Sequence, residues 1–125
     1  MFPYDRFVKF EELTTLLRAA CDGHPALARM AAIGASHEGR PIWCVTLTNY
    51  ATGEPLSKPA FYVDANIHAT ELSGSVAALK LIEPERGDFL LESVEGGAVR
   101  GRHSLLGLAP DLVFHLAAQA LVRRS

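Results

Sequence analysis

The stretch from residue 61 to residue 71 constrains the fold more than any other part of the chain, because its pattern changes there from strand to helix. Alternate apolar residues predict a strand with one buried face: Phe61, Val63, Ala65 and Ile67. Apolar residues then recur at helical spacings of four and three: Leu72, Val76 and Leu79. His68 and Glu71 therefore fall in a strand-to-helix turn, and open α/β sheets bind ligands outside the carboxyl ends of their strands.

His68 and Glu71 are of two residue types that bind zinc. A catalytic zinc typically takes three protein ligands and one water molecule, and groups three residues apart on a helical turn can face one ion. The spacing alone is a weak signal. On spacing alone, a polar turn with Glu71 favouring the helix N-terminus and His68 solvated is the preferred interpretation, and a metal site is the alternative that stays open at this point.

Composition restricts the class of function. With 125 residues and 49% hydrophobic residues, the chain is long enough for one domain with a core. A net charge of −2 gives no basic surface for nucleic acid, and no apolar segment reaches membrane-spanning length. Cys21 and Cys44 are too few for a disulfide framework, and the N-terminus has no apolar leader. We therefore expect free, partly buried thiols in a cytoplasmic protein, with neither nucleic acid nor membrane as partner. The oligomeric state stays open.

The residues before the turn predict a helix followed by a hairpin. The helix has its apolar side at Phe10, Leu13, Leu17 and Ala20. The hairpin arms are Leu27 to Ile33 and Ile42 to Thr48, and Gly39 between them can adopt a positive φ. Ser36, His37 and Glu38 are triad-type residues, but three consecutive residues cannot easily meet around a substrate, so we interpret them as a polar turn. The order of elements predicts an α/β fold with a sheet covered by helices.

Residues 83–125 differ in character from the first 82. Pro84 interrupts the helical pattern of the preceding segment. Asp111 to Arg124 predicts a final helix, with an acid at its start and arginines at its end. No convincing strand is found in this tail.

Three blocks of the chain together resemble the N-terminal part of zinc carboxypeptidases of the carboxypeptidase A/B type. The blocks are Tyr4 with Glu11-Glu12-Leu13, the segment Ile33-Gly34-Ala35-Ser36-His37-Glu38-Gly39-Arg40-Pro41-Ile42, and Lys58 to Ser75 with its Asn66-Ile67-His68-Ala69-Thr70-Glu71 turn. The resemblance implies a mixed sheet flanked by helices and a zinc ion held by His68 and Glu71. It also implies hydrolysis of the C-terminal bond of a peptide or protein substrate by a zinc-activated water.

The resemblance covers roughly residues 4–82, and several parts of the family's site have no counterpart. The family requires a third ligand histidine, a general-base glutamate, an arginine for the substrate carboxylate and a tyrosine, and none can be carried over. Thr70 stands where many members have arginine. His103 and His115 do not lie in segments resembling the third-ligand segment, so we expect a loop residue and a helix-surface residue there. We therefore hypothesise an incomplete domain at residues 1–82 and a divergent tail at 83–125 that a frame change or truncation added.

Two kinds of function remain. One is a zinc-dependent carboxypeptidase, or its variant, an amidohydrolase of N-acyl amino acids, since zinc-binding relatives of the family cleave such amides. The other is a non-catalytic, truncated remnant with weak or no zinc binding, because two ligands without a third donor or a general base hold zinc weakly and hydrolyse little. Open sheet edges in such a remnant predict aggregation or oligomers.

Overall fold

The computed structural model describes residues 2–3, 5–68 and 70–82, and the backbone of three strands at 91–95, 98–103 and 113–118. In chain order the elements are α1 (Phe10–Gly23), β1 (Ala28–Ala35), β2 (Pro41–Leu47), β3 (Ala60–Ala65), α2 (Leu72–Ile82), β4 (Leu91–Glu95), β5 (Ala98–His103) and β6 (Val113–Ala118). Two 3-10 turns, Tyr50–Thr52 and Pro55–Ser57, lie between β2 and β3. No helix in these ranges is long and apolar enough to cross a membrane.

Four strands form one mixed sheet in the order β1-β2-β6-β3. β2 pairs antiparallel with β1 and with β6, and β6 pairs parallel with β3. β4 and β5 form a separate antiparallel pair. The predicted α/β class with a mixed sheet flanked by helices is therefore confirmed, and β3 is the outermost strand of this sheet in the part of the chain that is described.

The predicted helix and hairpin are both present. The hairpin register runs from Ala28 opposite Leu47 to Ala35 opposite Pro41. In the connection, Gly39 has a φ of 76°, and its N–H donates to the Ser36 carbonyl at 2.9 Å. Glu38 pairs with Arg40 at 2.6 Å rather than with a histidine, so this segment is the polar turn that the sequence indicates.

A single core joins both helices to the sheet. From α1 it takes Leu13 and Leu17, and from β2 it takes Val45 and Leu47, which are 1% and 0% exposed. Trp43 of β2 is tied to the helix because its Nε1 donates to Thr14 Oγ1 at 2.9 Å. From β3 and α2 the same core takes Ala65, Ala78, Leu79 and Ile82.

The predicted buried face of α2 is partly wrong. Leu72 is 42% exposed, and the buried residues are Ser75, Ala78, Leu79 and Ile82. These four also recur at helical spacing. Because Ser75 and Ala78 are small, they let the helix lie close to the sheet, and a search for large apolar residues overlooks such a face.

The predicted buried face of β3 is confirmed only at its carboxyl end. Ala65 is 8% exposed and Val63 is half-buried, whereas Phe61 and its neighbour Tyr62 are each 60% exposed. Ile67 lies beyond the strand and is 45% exposed. The described residues cover only the end of β3 that leads into the turn.

The predictions for the tail are wrong where the structure describes it. Residues 113–118 form β6 instead of part of a helix, and β4 and β5 are two further strands. His115 therefore belongs to a strand, and His103 ends one. Pairing on both sides, with β2 and β3, stabilises a strand that the local pattern disguises. The rest of the predicted helix lies outside the described residues, and the division of the domain at residue 82 stays a prediction.

Candidate metal centre

The turn between β3 and α2 carries His68 and Glu71, as the sequence predicts. β3 ends at Ala65 and α2 begins at Leu72. Within the turn, the Glu71 N–H donates to the His68 carbonyl at 3.0 Å, and the Gly74 N–H donates to the Glu71 carbonyl at 2.9 Å. These two backbone hydrogen bonds hold the backbone of both residues in a turn at the carboxyl end of the strand.

The two side chains meet at the surface. His68 Nδ1 lies 3.2 Å from Glu71 Oε1, and the side chains are 76% and 58% exposed. Two donors on one tetrahedral zinc, with bonds of about 2.1 Å, stand ~3.4 Å apart. The observed separation therefore suits two ligands of a single zinc ion, and their exposure leaves the opposite side of such an ion open to water and substrate.

A third ligand is not found among the residues that the structure describes. Within those ranges, no three side chains of His, Cys, Asp or Glu are grouped so that they could hold a metal ion. The backbone of His115 lies opposite Tyr62, three residues and so ~10 Å before the end of β3. The pair fits two of the three protein ligands of a catalytic zinc, and the donor set is incomplete in the described part of the chain.

The two cysteines are unsuited to supply the missing ligand. Neither forms a disulfide, and both are buried, which confirms the predicted free thiols. Burial, with a smaller contribution from the carboxylate of Asp22, raises the pKa of the Cys21 thiol from 9.0 to about 11. Burial also raises the pKa of Cys44. Since the thiolate is the metal ligand and the nucleophile, both groups are held in the unreactive form at neutral pH.

Two residues on either side of the His68–Glu71 turn were not singled out from the sequence. Asn66 has a φ of 63° and is 5% exposed, and Gly74 lies in the first turn of α2 against the backbone of Asn66. An asparagine directly after an apolar strand is the available signal, because asparagine tolerates positive φ better than most residues. Thr70, beside Glu71, is exposed and brings no positive charge to the site.

The described residues thus form an α/β domain in which a strand-to-helix turn at the outer strand of a mixed sheet carries a histidine and a glutamate. The family model described as zinc carboxypeptidase matches residues 13–84, which is more than half of the chain. This chain belongs to the zinc carboxypeptidase family.

Individual relatives agree with this assignment. The chain is 52% identical over 46 residues to human carboxypeptidase D, covering 36% of this chain and 3% of that protein. It is 33% identical over 86 residues to carboxypeptidase A1 of Sus scrofa, covering 66% of this chain and 20% of that protein. The chain is also 49% identical over 41 residues to anthranilate synthase component 1 of Cereibacter sphaeroides, covering 33% of this chain and 8% of that protein. The chain thus spans a fifth or less of the length of these relatives.

The fold is shared with solved carboxypeptidases. Carboxypeptidase A from Helicoverpa armigera superposes with a TM-score of 0.65 at 17% identity, covering 93% of this chain and 25% of that one. Because residues 1–82 are only about two thirds of the 125, this superposition extends past residue 82. The likeness of fold therefore includes part of the tail.

Proposed function

We propose that His68 and Glu71 are two of the three protein ligands of a catalytic zinc in a carboxypeptidase. The substrate of the complete centre would be the C-terminal peptide bond of a peptide or protein. The observation that carries the proposal is the 3.2 Å separation of His68 Nδ1 and Glu71 Oε1 at the carboxyl end of β3. Membership of the zinc carboxypeptidase family supports both the metal and the class of reaction.

The chain's own residues would bind the metal and leave room for the substrate. Glu71 brings a negative charge that favours a divalent cation, and the backbone hydrogen bond from Glu71 to His68 keeps the two donors side by side. When bound, zinc would polarise the scissile carbonyl and lower the pKa of its bound water toward about 7. The exposure of both side chains gives a substrate direct access to this point.

A second function is favoured by a different observation. Within the described ranges the pair has no third donor, and Phe61 and Tyr62 remain exposed on β3. A chain with this arrangement would be a non-catalytic remnant that binds zinc weakly. It would act, if at all, through contacts with other proteins at its open strand.

Zinc titration of the purified chain separates these functions. The wild type is compared with His68→Ala and Glu71→Ala, and His37→Ala serves as control because His37 is an exposed histidine of the hairpin connection. Tight one-to-one binding that only the first two substitutions abolish would support a complete centre, and release of a C-terminal amino acid from a blocked dipeptide would then be measured. Weak zinc binding that both substitutions remove would show that His68 and Glu71 bind the metal, but would favour the non-catalytic remnant as the function of this chain. Binding that neither changes would contradict the proposal.

A further inference from the structure

The turn that carries the His68–Glu71 pair begins at an unusual backbone conformation. Asn66 has a φ of 63°, and no other non-glycine residue in the described ranges has a positive φ. Asn66 is buried, with 5% of the residue exposed. Its Oδ1 has no hydrogen-bond partner among the described residues. The positive φ accounts for an asparagine at this position, because asparagine tolerates the left-handed region better than most residues.

The same turn ends at a close contact between helix and strand. A Cβ added at Gly74 would lie 3.2 Å from the backbone nitrogen of Asn66 and 3.7 Å from the Cβ of Ala65. The first distance is tighter than nine in ten real Cβ contacts, and the atom that it meets is backbone rather than the end of a flexible side chain. A side chain at position 74 would therefore require the first turn of α2 and the end of β3 to move apart by a few tenths of an ångström.

The ligand pair lies between these two points and is linked to both by the backbone. The N–H of Gly74 donates to the carbonyl of Glu71, and the N–H of Glu71 donates to the carbonyl of His68. A displacement of α2 would be passed along these hydrogen bonds to Glu71. A change of conformation at Asn66 would redirect the chain two residues before His68.

We propose that Asn66 and Gly74 are positioning residues for the zinc pair. Asn66 sets the direction in which the chain leaves β3, and Gly74 sets how closely α2 approaches, so that His68 Nδ1 and Glu71 Oε1 come to lie 3.2 Å apart. This inference rests on the proposed zinc site. It adds that metal affinity depends on two residues that carry no ligand atom.

Zinc titration of the whole chain, followed by NMR of the backbone amides of residues 66–74, tests this proposal. Asn66→Gly keeps the positive φ accessible and should bind within twofold of the wild type. Asn66→Val and Gly74→Ala should bind at least tenfold more weakly. Gly23→Ala is the matched control, because a Cβ at Gly23 meets nothing within 4 Å, and it should bind as the wild type does. Circular dichroism and urea unfolding establish whether each variant is folded. Asn66→Ala replaces Asn66→Val if the latter is unfolded, and an unfolded Gly74→Ala would assign Gly74 to folding and overturn its positioning role.

The outcomes distinguish this inference from the proposed function. Wild-type binding that His68→Ala abolishes, together with wild-type affinity in Asn66→Val and Gly74→Ala, would overturn the positioning role and leave the zinc site standing. An equal loss in Asn66→Gly and Asn66→Val would overturn the role of the positive φ. A wild type whose binding His68→Ala does not change would overturn both proposals.

Discussion

The core face of β2 and the outer strand β3 differ sharply in how completely they are covered. Val45 and Leu47 of β2 are 1% and 0% exposed, in one core with Leu13 and Leu17 of α1. Phe61 and Tyr62 of β3 are each 60% exposed. The core face of β2, here called the closed end, is covered by side chains of α1, whereas the described residues leave β3, here called the open end, uncovered.

The candidate metal centre lies at the open end. Its local geometry is nevertheless well defined, because the backbone hydrogen bonds of residues 68–74 hold His68 and Glu71 together. A turn can thus bring two side chains together by short-range interactions. Within the described residues no third side chain of His, Cys, Asp or Glu joins them, and the carboxypeptidase A chain from Helicoverpa armigera is about four times as long as this one.

The largest effect should come from the closed end. Leu47→Ala removes a side chain that is 0% exposed, and burial of this kind predicts a loss of ~2–5 kcal/mol in the free energy of unfolding. Leu56→Ala is the control, because Leu56 is fully exposed and its loss should stay within ~0.5 kcal/mol. Urea unfolding measures both, and equal losses would mean that Leu47 does not contribute to the core as its burial indicates.

The Cys21 thiol gives a pH-dependent test of the same core. Because burial raises the pKa of this thiol from 9.0 to about 11, its neutral form is favoured in the folded state. The contribution of the neutral thiol to the free energy of unfolding is therefore fully present below pH 9, and it is lost as the pH rises toward about 11.

Over that range, wild-type stability should fall more steeply than that of Cys21→Ala, by an amount on the order of 1–2 kcal/mol. Urea midpoints at several pH values measure the difference. Parallel curves for the two proteins would contradict burial of the thiol.

Lys58 connects the closed end to the start of β3, and its removal should have an intermediate effect. Its Nζ donates to Thr48 Oγ1 at 3.2 Å, to Thr52 Oγ1 at 2.8 Å and to the Asn49 carbonyl. Lys58→Met should cost ~1–2 kcal/mol in the free energy of unfolding, since charged donors make the stronger hydrogen bonds. Lys9→Met is the matched control at an exposed lysine, and a similar small effect at both positions would count against the role of Lys58.

The smallest effect should come from the open end. Phe61→Thr keeps a residue suited to strands and should change the free energy of unfolding by less than ~0.5 kcal/mol. The same substitution should reduce self-association at millimolar concentrations, because it removes exposed apolar surface beside an open edge. Light scattering measures this effect. A stability loss as large as that of Leu47→Ala would show that Phe61 is covered in solution.

The sequence predicts the elements whose stability comes from nearby residues. α1 follows from helical spacing of its apolar residues, and the hairpin arms follow to within two residues from their pattern and from Gly39. β6 could not be found in this way. Its residue His115 pairs with Thr46 on one side and Tyr62 on the other, so the interactions that make it a strand come from more than 50 residues away.

In the candidate site, too, the sequence predicts the residues but not their distance from each other. The residue types and their family pattern single out His68 and Glu71. Spacing does not determine that Nδ1 and Oε1 come within 3.2 Å, because that distance also depends on backbone conformation, to which we propose that the positive φ of Asn66 and the close approach of α2 at Gly74 contribute. A glycine and an asparagine reveal such roles only when the atoms around them are known.

The most direct test of the central claim is the position of zinc in a crystal of this chain, located by anomalous diffraction at the zinc absorption edge. The claim predicts a peak about 2.1 Å from both His68 Nδ1 and a carboxylate oxygen of Glu71. A peak at other side chains, with His68 and Glu71 left in contact with each other, would contradict it.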